Sequence, residues 1–127
     1  MPFVTPGEGL DRSCVNIPAL AAELGPPPWR QPIVGTSGLR VILLHWPAGF
    51  ETIRHHHPHA EEVFQILEGT AIFTIGDEPA RRAEPGDFLL APRGVRHVIR
   101  VSDDGPLLML AAVAPNEDLP DETIEPS

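Results

Sequence analysis

Short apolar segments separated by turn-forming residues dominate residues 39–113 of the sequence. The segments that have the length and the aliphatic and aromatic content of β-strands are 39–46, 62–67, 70–75, 88–91, 95–102 and 107–113. Gly, Pro and Asp separate them, for example in Glu84-Pro-Gly-Asp87 and Pro92-Arg-Gly94. Short strands with turn residues at this spacing are typical of an all-β sandwich or barrel. The pattern therefore predicts an antiparallel all-β fold.

Two segments of different composition flank the predicted barrel. Residues 1–31 form an N-terminal arm, in which residues 18–24 favour a short helix that ends at the Gly25-Pro-Pro-Pro28 run. Residues 115–127 form an acidic tail that contains proline. We therefore divide the chain into an arm (1–31), a barrel domain (32–114) and a tail (115–127). Because the arm and tail are long relative to the barrel, we expect at least one of them to cross onto a second subunit and form a homodimer.

Composition excludes several classes of function. The net charge of −9 argues against binding to nucleic acid and to anionic membrane surfaces. No apolar run approaches the roughly 20 residues of a membrane span, and the N-terminus lacks the features of a signal peptide, so we expect a cytoplasmic protein. The sequence has no lysine and no tyrosine, which excludes Schiff-base chemistry and any mechanism that needs a tyrosine. Cys14 is the single cysteine, and we expect it to be a small buried apolar residue.

Four of the six histidines lie in one run, Arg54-His-His-His-Pro-His59. His55 and His57 are two residues apart, so their imidazoles project to the same face of an extended backbone. Glu62 begins the next predicted strand, and His97 shares the inward face of a distant strand with apolar neighbours. Three imidazoles and a carboxylate suit one divalent transition metal such as Fe, Mn, Zn, Ni or Co. An alternative register replaces His55 and His57 with His57 and His59.

The spacing of these residues resembles the two sequence motifs of the cupin superfamily. The first motif matches at Gly49-x5-His55-x-His57-x4-Glu62-x6-Gly69. The second matches at Gly86-x5-Pro92-x-Gly94-x2-His97, with Val101 where the motif has asparagine. The resemblance covers about residues 39–113. It implies a double-stranded β-helix, or jelly-roll barrel, that holds a metal inside through His55, His57, Glu62 and His97, and that is frequently dimeric.

The orientation of the first predicted barrel strand determines a further candidate. Arg40 indicates the outer face of segment 39–46, so Leu39, Val41, Leu43 and His45 are expected to point inward. His45 is then a candidate base that contacts the substrate, or a residue that contacts the metal ligands without binding the metal.

The resemblance leaves the reaction open, because cupins include many unrelated activities. The leading hypothesis is a small metalloenzyme, a dioxygenase-like oxidoreductase acting on a modest apolar, aromatic or carbonyl-containing molecule inside the barrel. The alternatives are a metal-containing binding module without turnover and a cupin isomerase or decarboxylase. Cupin epimerases and lyases that use a tyrosine are disfavoured. A base within hydrogen-bond reach of the ligand would distinguish the enzyme from the binding module.

Overall fold

The computed structural model describes residues 14–116 as one short helix and eight strands. The elements are α1 (Ile17–Leu24), β1 (Trp29–Gly35), β2 (Arg40–Trp46), β3 (Glu61–Glu68), β4 (Ala71–Ile75), β5 (Arg81–Ala83), β6 (Phe88–Ala91), β7 (His97–Val101) and β8 (Leu107–Ala114). The six predicted strands are present with small changes at their ends. The predictions missed β1, which begins inside the segment taken as the arm, and the short charged strand β5.

The strands form two antiparallel sheets whose buried side chains meet in one core. The five-stranded sheet has the order β1-β2-β8-β3-β6, and the three-stranded sheet has the order β5-β4-β7. Phe64 of the first sheet contacts Phe73 of the second, with ring centroids 5.3 Å apart. Ile99 and Met109 are also buried in this core. The antiparallel barrel predicted from the sequence is confirmed.

A second, smaller core lies on the outer face of the five-stranded sheet. Leu20 of α1 packs there with Ile33 of β1, Leu43 of β2 and Leu108 of β8. The helix begins after Asn16, whose side chain accepts a hydrogen bond from the Ala19 N–H at 2.9 Å, and it ends at a glycine. The predicted helix is therefore confirmed, and it covers the barrel of its own chain. No helix in the described part of the chain is long and apolar enough to cross a membrane.

The orientation predicted for β2 was wrong. Ile42 and Leu44 belong to the core between the sheets, whereas Leu43 belongs to the core beneath α1. Because α1 covers the outer face of this strand, both faces are apolar, and an arginine no longer identifies the solvent side. Arg40 therefore shares the inward face with Ile42, and His45 lies on the outer face.

The structure also defines the environments of Gly69 and Cys14. Gly69 has a φ of +85°, and a Cβ at this position would clash with the carbonyl oxygen of Pro106. This position therefore requires glycine. Cys14 was expected to be buried, but it is exposed at the start of the described chain, before α1 begins to pack on the sheet. Residues 1–13 and 117–127, which include most of the predicted tail, lie outside the described residues.

Candidate metal centre

Two of the candidate ligands are held by direct backbone pairing. The His55 N–H donates to the His97 carbonyl at 3.2 Å, and the His97 N–H donates to the His55 carbonyl at 2.8 Å. Their ring centroids are 4.1 Å apart. The same segment is anchored again at Thr52, whose N–H donates to the Ile99 carbonyl and whose hydroxyl oxygen accepts from the Ile99 N–H. An irregular stretch before β3 thus runs antiparallel to β7 and aligns the two imidazoles.

His57 and Glu62 complete the group. The His57 ring lies 5.4 Å from the His55 ring, because residues two apart project to the same side. It also lies 5.6 Å from the His97 ring. The Gly94 N–H donates to the His57 carbonyl at 2.9 Å, so the turn of the second motif supports the first. Glu62 Oε1 lies 2.6 Å from His57 Nε2 and 3.4 Å from His97 Nε2.

The donor atoms fit a divalent metal ion. One ligand atom from each of His55, His57, Glu62 and His97 lies within 4.8 Å of all the others. The His55 Nδ1 is 2.8 Å from the Ile53 carbonyl, which can only accept a hydrogen bond, so Nδ1 carries the proton and Nε2 keeps its lone pair.

Several nitrogen atoms of the group are buried without a hydrogen-bond partner. His57 and His97 are 3% and 0% exposed. Among the described residues, His57 Nδ1 and both ring nitrogens of His97 have no hydrogen-bond partner. Unsatisfied buried polar atoms are costly and therefore rare, and a cation would satisfy the nitrogen that faces it. Three imidazoles and a carboxylate are the donor set that Zn, Fe, Mn, Ni and Co accept.

The environment favours the protonation states that metal ligands need. Burial alone raises the pKa of Glu62, but the hydrogen bond with His57 and the proximity of His97 outweigh it and lower the pKa to about 2. Burial lowers the pKa of His55, and the neighbouring His97 and His57 act in the same direction, against the hydrogen bond to Ile53 and the charge of Glu62. An ionised carboxylate and a neutral imidazole are the forms that coordinate a metal.

The candidate ligands face a small cavity of about 40 Å³, which has room for about three water molecules. Its other lining residues are Arg30, Arg40, Ile42, Leu44, Trp46, Thr52, Phe64, Ile99, Ala111 and Val113. The walls are thus largely apolar. Val41 and Leu43, which were expected to point inward, lie on the other face of β2.

The structure distinguishes the four grouped residues from the other sequence candidates. His56 and His59 are exposed, so the alternative register through His59 is not assembled. His45 is not part of the cavity lining. It lies beside its cross-strand neighbour Trp29, with ring centroids 5.0 Å apart, on the outer face of β2. Within the described lining, the four candidate ligands therefore account for every carboxylate and imidazole.

Sequence reasoning missed three polar residues of the cavity. Arg30 fell in the segment taken as the arm, and Arg40 was assigned to the wrong face. An assignment based on Trp46, which shares the inward face, would have placed Arg40 correctly. No sequence signal indicated Thr52.

Comparisons with known proteins agree with this fold and arrangement. The family model "Cupin domain" matches residues 42–113. The chain is 38% identical over 68 residues to dimethylsulfoniopropionate lyase DddQ of Ruegeria pomeroyi, covering 54% of this chain and 33% of DddQ. It is 32% identical over 69 residues to the uncharacterized protein MJ1618 of Methanocaldococcus jannaschii, covering 54% of each. The chain thus matches between a third and about half of the length of its curated relatives.

Solved structures extend the likeness beyond the matched domain. The crystal structure of DddQ superposes with a TM-score of 0.61 at 32% identity, over 71% of this chain and 44% of DddQ. That of BH2720 from Bacillus halodurans superposes with a TM-score of 0.76 at 22% identity, over 97% of this chain and 94% of BH2720, which shows a shared fold. The family-model match spans both motifs and all four grouped residues, and the chain therefore belongs to the cupin family.

Proposed function

We propose that the chain binds one divalent transition metal through His55, His57, Glu62 and His97 and acts on a small molecule in the adjoining cavity. The observation that carries the proposal is the group itself: four buried or half-buried donor atoms within 4.8 Å of one another. An ionised Glu62 and a neutral His55 support it, because neither needs to lose a proton before it coordinates a metal.

Dioxygenase-like oxidation is the reaction class that we favour. A redox-active metal such as iron or manganese would supply the electron transfer, and its remaining coordination positions would accept substrate. The apolar walls, which include Phe64 and Ile99, would exclude water and hold the carbon skeleton of an apolar or carbonyl-containing substrate. Reactions that begin with proton removal, including those of isomerases and many lyases, need a general base. The described lining offers none apart from the candidate ligands, so these reactions have less support.

A metal-containing binding module without turnover is the second candidate. The specific observation in its favour is the position of His45, which lies on the outer face of β2 beside Trp29 and outside the cavity lining. With His45 excluded, the metal must supply all of the chemistry or the site only binds its ligand. The predicted homodimer and cytoplasmic location stay predictions, and the molecular mass in solution at micromolar concentration tests the homodimer.

Elemental analysis of freshly purified protein tests the proposal. The samples are the wild type, His97→Ala, the isosteric Glu62→Gln, and His56→Ala as a control for an exposed histidine beside the group. We expect near-stoichiometric metal in the wild type and the control, and loss in the other two. Iron or manganese justifies an oxygen-electrode screen of small apolar substrates, and oxygen uptake supports the enzyme. Zinc or nickel supports the metal site and directs the search toward Lewis-acid chemistry or ligand binding. No metal in folded wild-type protein contradicts the proposal.

A further inference from the structure

Two arginines line the same cavity as the candidate metal ligands. Arg30 comes from β1 and Arg40 from β2, and both are half-buried. We infer that the cavity takes a small organic carboxylate, whose negative charge these two guanidinium groups bind while the rest of the molecule faces the metal centre. This inference rests on the proposed function, and it adds the chemical class of the ligand.

The strand register places Arg40 in line with Glu62. Arg40 is the cross-strand partner of Val113, and Val113 is the partner of Glu62 on the next strand. Cross-strand partners share a face of the sheet, so all three side chains project into the barrel. Two strand spacings of about 4.8 Å separate the backbones of Arg40 and Glu62. The long side chain of Arg40 thus begins level with the candidate ligand Glu62 across the sheet.

Arg30 reaches the cavity from the neighbouring edge strand. It is the cross-strand partner of Leu44, which is itself part of the lining. The two arginines therefore belong to one end of the five-stranded sheet, whereas His97 and the segment that carries His55 belong to the other side of the barrel. A ligand between them would meet guanidinium groups on one side and imidazoles on the other.

The described lining of the cavity is richer in basic side chains than the chain as a whole. The sequence carries a net charge of −9, yet the described lining has two guanidinium groups and only one carboxylate, that of Glu62. A bound divalent metal would make the cavity more positive. A positive, half-enclosed site concentrates anions, and the planar guanidinium fork matches a carboxylate.

Size and polarity narrow the ligand further. A cavity of about 40 Å³ holds only a few non-hydrogen atoms. The hydroxyl oxygen of Thr52 already accepts a hydrogen bond from the Ile99 N–H. A sugar needs several polar partners and is therefore a poor match, whereas a short acid with a second metal-binding group matches both the guanidinium groups and the candidate metal ligands.

Calorimetric titration with glycolate and its uncharged analogue glycolamide tests the inference. The variants are Arg30→Gln, Arg40→Gln and Arg40→Lys, with Arg82→Gln as the control for an exposed arginine on β5. Each protein is titrated metal-free and after metal loading, and its metal content is measured on the same sample. Titration of the metal-free protein measures how far the arginines alone favour glycolate over glycolamide. A failure of the proposed function therefore appears in the metal content, separately from the anion preference.

We expect wild-type protein and Arg82→Gln to prefer glycolate by about tenfold, as charge-assisted hydrogen bonds imply. Each arginine-to-glutamine variant should lose most of this preference while its affinity for glycolamide stays the same. Arg40→Lys should keep part of the preference, because the charge remains and the fork is lost. Equal affinities for the two probes in the wild type, no detectable binding of either, or a preference that survives both glutamine variants would overturn the inference.

Discussion

His55 and His97 are direct antiparallel neighbours: each donates its backbone N–H to the carbonyl of the other. The two candidate ligands come from different sequence motifs, and β3 to β6 lie between them along the chain. Their relative position is thus set by main-chain hydrogen bonds, which do not depend on side-chain rotamers. A site assembled in this way is in place before a metal arrives, and metal binding should therefore stabilise the fold rather than create it.

Metal should raise the thermal stability of the protein. A ligand that binds only the folded state adds about 2.7 kcal/mol at a free concentration of 100 times its Kd. We expect the unfolding temperature of wild-type protein and of His56→Ala to rise on metal addition and to fall with a chelator. His97→Ala should show neither change. An equal response in His97→Ala would place the bound metal elsewhere.

Thr52→Val should destabilise the protein by about 1–3 kcal/mol. The valine keeps the shape of the side chain but leaves the Ile99 N–H without its acceptor in a buried position. Thr52→Ser keeps the hydroxyl and serves as the matched control. Denaturant unfolding of the metal-free proteins measures the difference. If the valine variant is as stable as the serine variant, the hydrogen bond does not anchor the segment before His55.

Gly69→Ala should destabilise the protein more than Gly86→Ala. Both glycines have a positive φ, so both substitutions carry a backbone cost of about 1–2 kcal/mol. A Cβ at Gly69 also clashes with the Pro106 carbonyl, whereas at Gly86 it meets open space. The difference between the two free energies of unfolding isolates the clash. Equal values would mean that the Pro106 turn moves away at no cost.

The metal-free protein should lose stability as the pH falls. The pKa of His55 lies below its ordinary 6.5 and that of Glu62, at about 2, lies below 4.5. The unfolded chain therefore binds protons more readily than the folded one, and the free energy of unfolding rises with pH. Both contributions are complete above pH 6.5. That of His55 declines below this value as the pH approaches its lower folded pKa, and that of Glu62 declines from pH 4.5 towards 2.

Urea midpoints measured at several pH values check this dependence. Glu62→Gln should lack the decline below pH 4.5 that Glu62 causes, while it keeps the decline that begins at 6.5. A midpoint that does not change between pH 7.5 and 3.5 would contradict the lowered pKa values of both groups in the folded state.

The sequence predicted the barrel and the group of four residues because these features depend on spacing. Alternation along β7 correctly placed His97, Ile99 and Val101 inward, since the opposite face carries Arg100 and meets solvent. The same rule failed on β2, where α1 covers the outer face. The sequence pattern of a strand does not reveal what packs against its second face. Arg40 was therefore predicted on the outer face and His45 on the inner face, which is the reverse of what the structure shows.

The remaining misses have related causes. β1 contains Pro32 and follows a run of prolines, so its pattern resembled an arm, yet it pairs with β2 at the edge of the sheet, where proline is tolerated. β5 has three residues, two of them arginines, and is too short for a pattern to be recognised. Arg30 was therefore missed together with its strand.

The two buried faces of β2 restrict how this cavity can change during evolution. Inserting one residue within β2, directly after Arg40, would move every following side chain of the strand to the opposite face. Leu43 and His45 would then enter the cavity, and Ile42 and Leu44 would be pressed against the helix. Single-residue insertions and deletions within β2 would therefore disrupt this wall of the barrel. Changes in ligand preference must come from substitutions at its inward positions, beginning with Arg40.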